Sequence, residues 1–258
     1  MKVASLPGDD QTCGWYHLSK GRTVRPAHTG HSRARWVIVG AGFTGLATAR
    51  QLATHFPDEH IVLVDAQEVG FGTSGRNAGF VIDLPHDIGA PDYIGDIATA
   101  KTTMQLNLSG KNYLTELVER FNIDCQLSHC GKYQAAVEDR GIAVLEAYRS
   151  GLDKLEQPYQ MIDAEALPEH IGTRFYRKAL FTPGTSLIQP SALVKGLADS
   201  LPSNVTLYEN TPISEVEYGA RSVLKHANGS ITADKLILTN NAFGMSFGFL
   251  KGRMLPVF

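Results

Sequence analysis

A chain of 258 residues with a hydrophobic fraction of 43% is long enough for one large domain or two small ones and apolar enough to bury a core. Its 24 basic residues nearly balance 26 acidic ones, so a net charge of −2 provides no strong field for a nucleic-acid backbone or an anionic membrane. Cys13, Cys125 and Cys130 are too few and too scattered for a disulfide framework or a zinc site, which leaves small-molecule chemistry as the class to expect.

Residues 1–35 are polar, rich in Pro, Gly and basic residues, and without periodicity; they predict an extended arm lying on the domain, pinned by Trp15 and Tyr16. The opening lacks an apolar run before a small-residue cleavage site, so no secretory leader is expected and the cytoplasm is the expected location. The sequons at Asn107, Asn204 and Asn228 are then chance matches. His28 and His31 have no carboxylate at helical spacing to complete a metal site and are read as solvated; no metal is expected.

Trp36 to Val39 predicts a short buried strand, and Leu46, Ala49, Leu52 and Phe56 recur at helical spacing until Pro57 and Asp58. His60 to Asp65 predicts a second strand. Strand, glycine turn, helix and strand within about 30 residues make a βαβ unit, whose crossover requires a parallel sheet. The apolar stretch from Val37 to Ala49 is interrupted by glycines and falls short of the roughly 20 residues that a bilayer span needs.

Farther on, the periodic set from Ile97 to Phe121 predicts a long helix or a helix pair broken near Gly110. The segment from Cys125 to Val137 reads as a hairpin, and Val144 to Leu155 as another amphipathic helix. Pro183 and Gly184 mark a turn between two strand-like runs, and a helix is expected from about Ser191 to Leu201. The remaining segments supply strands, with Asn228-Gly229 as a hairpin signal.

The turn "GAGFTG" carries the chemistry. Gly40 permits a tight turn, Gly42 close approach of a pyrophosphate, and Gly45 close packing of helix on strand; Ala41, Phe43 and Thr44 supply backbone around the anion. Asp65, with Ala66 beside it, ends the second strand 20 residues after Gly45, where a carboxylate accepts from the adenosine ribose hydroxyls and repels a 2′-phosphate. A second glycine-rich cluster follows, "VGFGTSGRNAGF" from Val69 to Phe80, with Thr73, Ser74, Arg76 and Asn77 among Gly70, Gly72, Gly75 and Gly79. A simple nicotinamide fold does not need it; a loop wrapping the phosphate and ribityl oxygens does, and this points to FAD.

The stretches "VIVGAGFTGLATARQL", "IVLVDAQEVGFGTSGRNAGF", "SLIQPSALVKGLADSL", "NVTLYENTPISEVE" and "DKLILTNNAF" together resemble the D-amino-acid-oxidase-like FAD-dependent oxidoreductases, and the G-x-S-G-R-N-x-G block is most similar to the gamma-glutamylputrescine oxidase branch. The resemblance implies an α/β fold: a Rossmann-like FAD-binding domain with a parallel sheet, plus a partial antiparallel-sheet substrate domain. The implied division is an arm at 1–35, the FAD domain at 36–125 and 190–245, and the partial substrate domain at 126–189 and 246–258. It implies that Gly40, Gly42 and Gly45 hold the pyrophosphate and Asp65 the ribose. Ser74, Gly75, Arg76 and Asn77 would line the inner phosphate and ribityl chain, Ile213 would touch adenine through its backbone, and Thr239 and Asn240 would close the floor.

Some members of the family attach flavin through a histidine or cysteine near the second loop. Arg76 stands there in this chain, so noncovalent FAD is expected; His86 is read as a solvated loop residue. The implied substrate is a primary or secondary amine or an amino acid, oxidised by hydride transfer to flavin. Lys132 and Tyr133 are read as surface or packing groups, and no catalytic residue is assigned. Family members continue beyond "KGRMLPVF", supplying further strands and a segment that covers the flavin ring. A second chain or self-association covering the incomplete sheet is therefore the partner to expect, and a noncatalytic nucleotide-binding chain the alternative. The Phe243, Phe247 and Phe249 run is read as core packing or uncovered surface.

Overall fold

The structure is a computed structural model that describes residues 1–8 and 12–255. In chain order its elements are α1 (Gly14–Leu18), β1 (Gly30–Val39), α2 (Phe43–His55), β2 (Ile61–Val64), β3 (Phe80–Val81), α3 (Ile97–Arg120), β4 (Lys132–Ala136), α4 (Asp139–Lys154) and β5 (Gln160–Asp163). There follow α5 (Leu167–Ile171), β6 (Lys178–Thr182), β7 (Ser186–Leu187), α6 (Pro190–Asp199), β8 (Val205–Tyr208), β9 (Glu215–Glu217), β10 (Ser222–His226) and β11 (Gly229–Leu238), with 3-10 turns at Thr73–Gly75 and Asn241–Phe247. The fold is the expected mixed α/β one, a mostly parallel central sheet with small antiparallel sheets.

The chain forms two compact units. One comprises Met1–Ala78, Phe121–Cys125 and the chain from Gln189 onward; the other comprises Gly79–Arg120 and Gln126–Ile188. The long helix α3, grouped by sequence with the FAD domain, belongs to the second unit, and the described residues beyond 245 belong to the first.

In the first unit the sheet order is β8-β2-β1-β11-β10-β9. The first four of these strands pair in parallel and the last three form an antiparallel meander. Val37, Val39, Val62 and Val64 join Val216, Leu224 and Ile231 in one buried cluster. Alternation then turns Ile38, Ile61 and Leu63, all fully buried, to the opposite face of the sheet. Helix α2 packs on β1, β2 and β8. Its buried stripe of Gly45, Leu46, Ala49 and Ala53 is apolar or featureless, and the buried Arg50 beside it donates to the Ser200 and Leu197 carbonyls.

Two expectations fail in this unit. The arm is not extended to residue 35: β1 starts at Gly30 and pairs with β11 from Gly30↔Gly229 to Val39↔Leu238. The early part of β1 is polar because much of it is exposed, so its strand character came from its partner and left no apolar run. His28 is not solvated; it is buried, with its Nδ1 2.9 Å from His226 Nε2 and its Nε2 2.7 Å from Ser32 Oγ, whereas His31 is exposed. The arm's other anchor is Tyr16, which stacks on Phe71 at 3.9 Å and donates to Glu68 at 2.6 Å; Trp15 remains 39% exposed.

The second unit holds the antiparallel sheet β4-β6-β5 and the two-stranded pair β3-β7. Its core gathers Leu84, Ile94, Leu145, Tyr148, Leu152 and Leu180. Asp96 caps α3 by accepting from the Thr99 N–H at 2.8 Å. The helix runs through Gly110 without a break, since one exposed glycine costs only about 1 kcal/mol against alanine and the flanking turns are continuous.

The hairpin expected at 125–137 does not form. Only β4 is a strand there, and its partner is β6. Ser128 exchanges backbone bonds with Leu187, and the Gly131 N–H donates to the Thr185 carbonyl at 2.9 Å. Gly131 lies at φ +70, and a Cβ on it would meet the Phe181 ring at 2.4 Å, so the chain bends toward a distant strand instead of back on itself. The Pro183–Gly184 turn does separate two strands, β6 and β7, but they belong to different sheets. Lys132 sits 5.8 Å from the Tyr148 ring centroid, and Tyr133 lies at the surface against Phe181.

Candidate dinucleotide site

The glycine turn is built where β1 ends and α2 begins. Gly40 adopts φ +105, and a Cβ there would lie 2.8 Å from the Thr239 carbonyl oxygen. Thr239 in turn donates its hydroxyl to the carbonyls of Val39 and Gly40, so the end of β11 locks the turn in place. At Gly45 a Cβ would fall 1.8 Å from the Gly40 carbonyl oxygen, which no backbone adjustment short of moving the helix would relieve. The first glycine therefore makes the turn, and the third lets α2 approach β1.

Gly42 faces the second loop: a Cβ on it would come 2.7 Å from Ser74 Oγ. That hydroxyl accepts from the Phe43 N–H at 3.0 Å. Gly75 holds this loop tight, because a Cβ there would lie 2.0 Å from the Gly70 carbonyl oxygen. Asn77 donates to the Ser74 carbonyl at 2.9 Å, and Arg76 donates to the Phe71 carbonyl at 2.7 Å. Both side chains thus shape the loop.

Asp65 lies where the turn and β2 meet. Its Oδ2 accepts from the Ala41 N–H at 2.6 Å and its Oδ1 from the Gln67 N–H at 3.0 Å. Burial pushes its carboxyl above the usual carboxylate range, with Glu209 adding to the rise and the amides of Gln67 and Ala41 opposing it. Two turn amides are thus engaged internally, by Asp65 and by Ser74. Among the described residues, those of Gly42 and Thr44, at the same helix start, have no protein acceptor.

These residues border a cleft of roughly 1490 Å³ in the first unit. Gly40, Ala41, Gly42, Phe43, Thr44, Asp65, Ala66, Gly72, Thr73, Ser74, Ile213, Thr239 and Asn240 line it. Gly45, Gly75, Arg76 and Asn77 lie beside it without lining it. Gly79 belongs to the second unit, where its carbonyl accepts from the Ile188 N–H at 2.9 Å.

Sequence reasoning missed part of the wall: Ser5, Leu6 and Pro7 from the amino-terminal segment, and Tyr218 and Leu236 from the meander. It also missed the post beneath the second loop. Glu209, fully buried, accepts from the Val69 N–H at 2.6 Å, the Arg25 N–H at 2.7 Å and Arg22 Nη1 at 2.7 Å. A lone Glu at the end of a predicted strand gives no such signal. Of the phenylalanine run, Phe247 is core, Phe243 lines the cleft and Phe249 is half exposed.

No helix among the described residues is long and apolar enough to cross a membrane, and no group of three or more His, Cys, Asp or Glu side chains among them could hold a metal ion.

Comparison with known proteins bears on the family and the fold. Gamma-glutamylputrescine oxidoreductase of Escherichia coli (strain K12) is 28% identical over 209 residues, covering 80% of this chain and 48% of that protein. Glycine oxidase of Pseudomonas aeruginosa is 27% identical over 230 residues, 86% of this chain and 59% of that one. The chain thus spans about half the length of the curated relatives it matches. Among solved structures, glycine oxidase from Geobacillus kaustophilus superposes with a TM-score of 0.71 at 21% identity, covering 85% of this chain and 58% of the other. L-Amino acid deaminase from Proteus myxofaciens superposes with a TM-score of 0.69 at 19% identity, covering 92% and 52%. These likenesses concern the fold. The family described as DAO, FAD dependent oxidoreductase, matches residues 35–258, and the chain belongs to it.

Proposed function

We propose that this chain binds FAD noncovalently in the first unit and serves an oxidoreductase that takes hydride from a primary or secondary amine or an amino acid. The observation that carries the reading is the Gly40–Gly45 turn against Asp65 and Ser74. It is a cradle that a Cβ on Gly42 would narrow against Ser74, at a helix start suited to a diphosphate, beside a carboxylate suited to ribose hydroxyls. The donor set fits a dinucleotide: free amides at Gly42 and Thr44, a hydroxyl at Ser74, and an acceptor at Asp65. Ile213 and Asn240 would border the base.

FAD, when bound, supplies the redox chemistry, accepting the hydride that an amine loses from its alpha carbon. This chain's residues bind and orient. The α2 start directs its dipole at negative charge, Asp65 fixes the nucleoside end, and Thr239 holds the turn that separates the two. Arg76 occupies the loop position at which a linking His or Cys would stand, which supports a noncovalent cofactor. The substrate contacts we assign to the second unit, without naming a catalytic residue.

A visible absorption spectrum of purified protein tests the reading. Oxidised-flavin bands bleached by an added amine, with flavin released into the supernatant on acid precipitation, are expected. A colourless chain that takes up no FAD would sink it.

A further inference from the structure

Residues 1–3 lie along the outer strand of the meander. The Val216 N–H donates to the Met1 carbonyl at 2.8 Å, the Val3 N–H donates to the Ser214 carbonyl at 2.9 Å, and Lys2 bridges Glu215 in antiparallel fashion. The segment thus covers the edge of β9 that would otherwise be open. Val3 packs on the cluster that contains Val216 and Leu224. Met1 lies over Gly248, where a Cβ would meet its sulfur at 2.8 Å.

From this anchor the chain turns over the cleft, and Ser5, Leu6 and Pro7 line it. The entry point is defined by register: Val3 is bonded to Ser214, and the next residue back along the chain, Ile213, lines the same cleft. Val3 to Pro7 carry no charge, so they neither attract nor repel a diphosphate. Leu6 is 44% exposed, an apolar side chain on the rim of the cleft. An uncharged wall with a leucine and a conformationally restricted proline suits the flat face of a purine.

We propose that the segment 1–7 is a strap that walls the nucleoside end of the cleft and sets how long the adenylate half of a bound dinucleotide stays. The inference rests on the cofactor reading above and adds a recognition element that the glycine motifs do not contain. A strap held by a few backbone bonds at a sheet edge can unzip without disturbing the strands beneath it, so its effect falls on release.

Three forms of the chain test it: one lacking residues 1–8, Val3→Pro, which removes the N–H given to Ser214, and Leu6→Gly, which alters only the cleft wall. FAD release is followed by the gain in flavin fluorescence after dilution, ADP binding by calorimetry, and folding by far-UV circular dichroism. The deletion and Val3→Pro are expected to release FAD about tenfold faster and to weaken ADP by a similar factor, with the circular dichroism spectrum retained. Leu6→Gly should shift both in the same direction by less. Unchanged FAD release, or faster release with ADP affinity unaltered, would overturn the strap. The ADP measurement decides it independently of flavin, whereas a wild-type chain that binds ADP but no flavin overturns the cofactor reading instead.

Discussion

Asp65 accepts the Ala41 amide proton at 2.6 Å, so the carboxylate at the end of β2 is tied directly to the glycine turn at the end of β1. The same carboxylate holds Gln67. One side chain thereby sets the spacing between the turn and the second loop. Asp65→Asn places an amide NH2 where two N–H groups need acceptors. Hydrogen bonds to charged groups contribute about 1.5–3 kcal/mol, so this variant is expected to bind FAD roughly 10- to 100-fold more weakly. Flavin release into an ultrafiltrate measures it, and wild-type retention would contradict the role.

Because burial raises the Asp65 pKa, the native chain holds the proton over a range where the unfolded chain has lost it. This contribution to stability is therefore greatest below the ordinary carboxylate value and falls as pH rises from there through the raised one. A ribose hydroxyl donating to Asp65 favours the ionised form. FAD binding in that window should release protons, and calorimetry in buffers of different ionisation enthalpy should detect them; Asp65→Asn should abolish the effect.

The two neighbouring glycines differ in what a methyl group would meet. At Gly42 it is the tip of the Ser74 side chain, which can rotate away; at Gly45 it is the Gly40 carbonyl, which cannot. Gly42→Ala is expected to fold with near-native stability and lose flavin affinity. Gly45→Ala should lose at least about 2–3 kcal/mol of stability, since the helix must move off the strand. Urea unfolding of both variants checks the contrast.

His28 and His226 form a buried relay. The Asn228 N–H points at His226 Nδ1 at 3.3 Å, which leaves the proton on His226 Nε2 to donate to His28 Nδ1; His28 Nε2 then donates to Ser32. Burial, and then the neighbouring histidines, hold both rings below the usual histidine value. The unfolded chain therefore binds more protons than the native one in this range. Stability should be full above about pH 6.5 and fall as pH drops through it. His226→Gln should flatten that limb of a plot of Tm against pH.

Arg22 and Glu209 are both withdrawn from water, with side chains 6% and 0% exposed. Removing Arg22 leaves the Glu209 carboxylate buried without its counterion, and removing Glu209 leaves Arg22 only the half-exposed Asp199 at 3.0 Å. Arg22→Met or Glu209→Gln should each cost about 3–5 kcal/mol, measured by urea unfolding, whereas loss of the exposed Arg33–Asp234 pair should cost less than about 1 kcal/mol.

The βαβ unit was legible because its signals are local. Apolar runs at Val37–Val39 and Ile61–Val64, helical spacing through α2 and three glycines at fixed offsets all act within one turn or strand. One part of the cleft lining, Val39 to Thr44 with Asp65 and Ser74, follows from that unit and the loop after it; the larger share, from Ile213 and the stretch from Asp234 onward, does not. The hairpin at 125–137 and the arm up to residue 35 were misread because their strands are specified by partners far along the chain: Ser128 by Leu187, and Gly30 by Gly229. The Asn228-Gly229 signal did mark a hairpin. Gly229 itself pairs with His226, which leaves Ala227 and Asn228 as the loop.

By itself the sequence determined the glycine turn, the carboxylate of Asp65 beside it and the parallel crossover, since glycine geometry and hydrophobic periodicity are properties of neighbouring residues. Only the tertiary structure decided that Glu209 stands under the second loop, that His28 is buried on His226, and that residues 1–3 pair with β9 while Ser5, Leu6 and Pro7 line the cleft. Those contacts join residues about 140 to 210 positions apart. Such pairings carry no periodic signature; they are selected when the whole sheet assembles and leaves each buried polar group and each strand edge to find a partner.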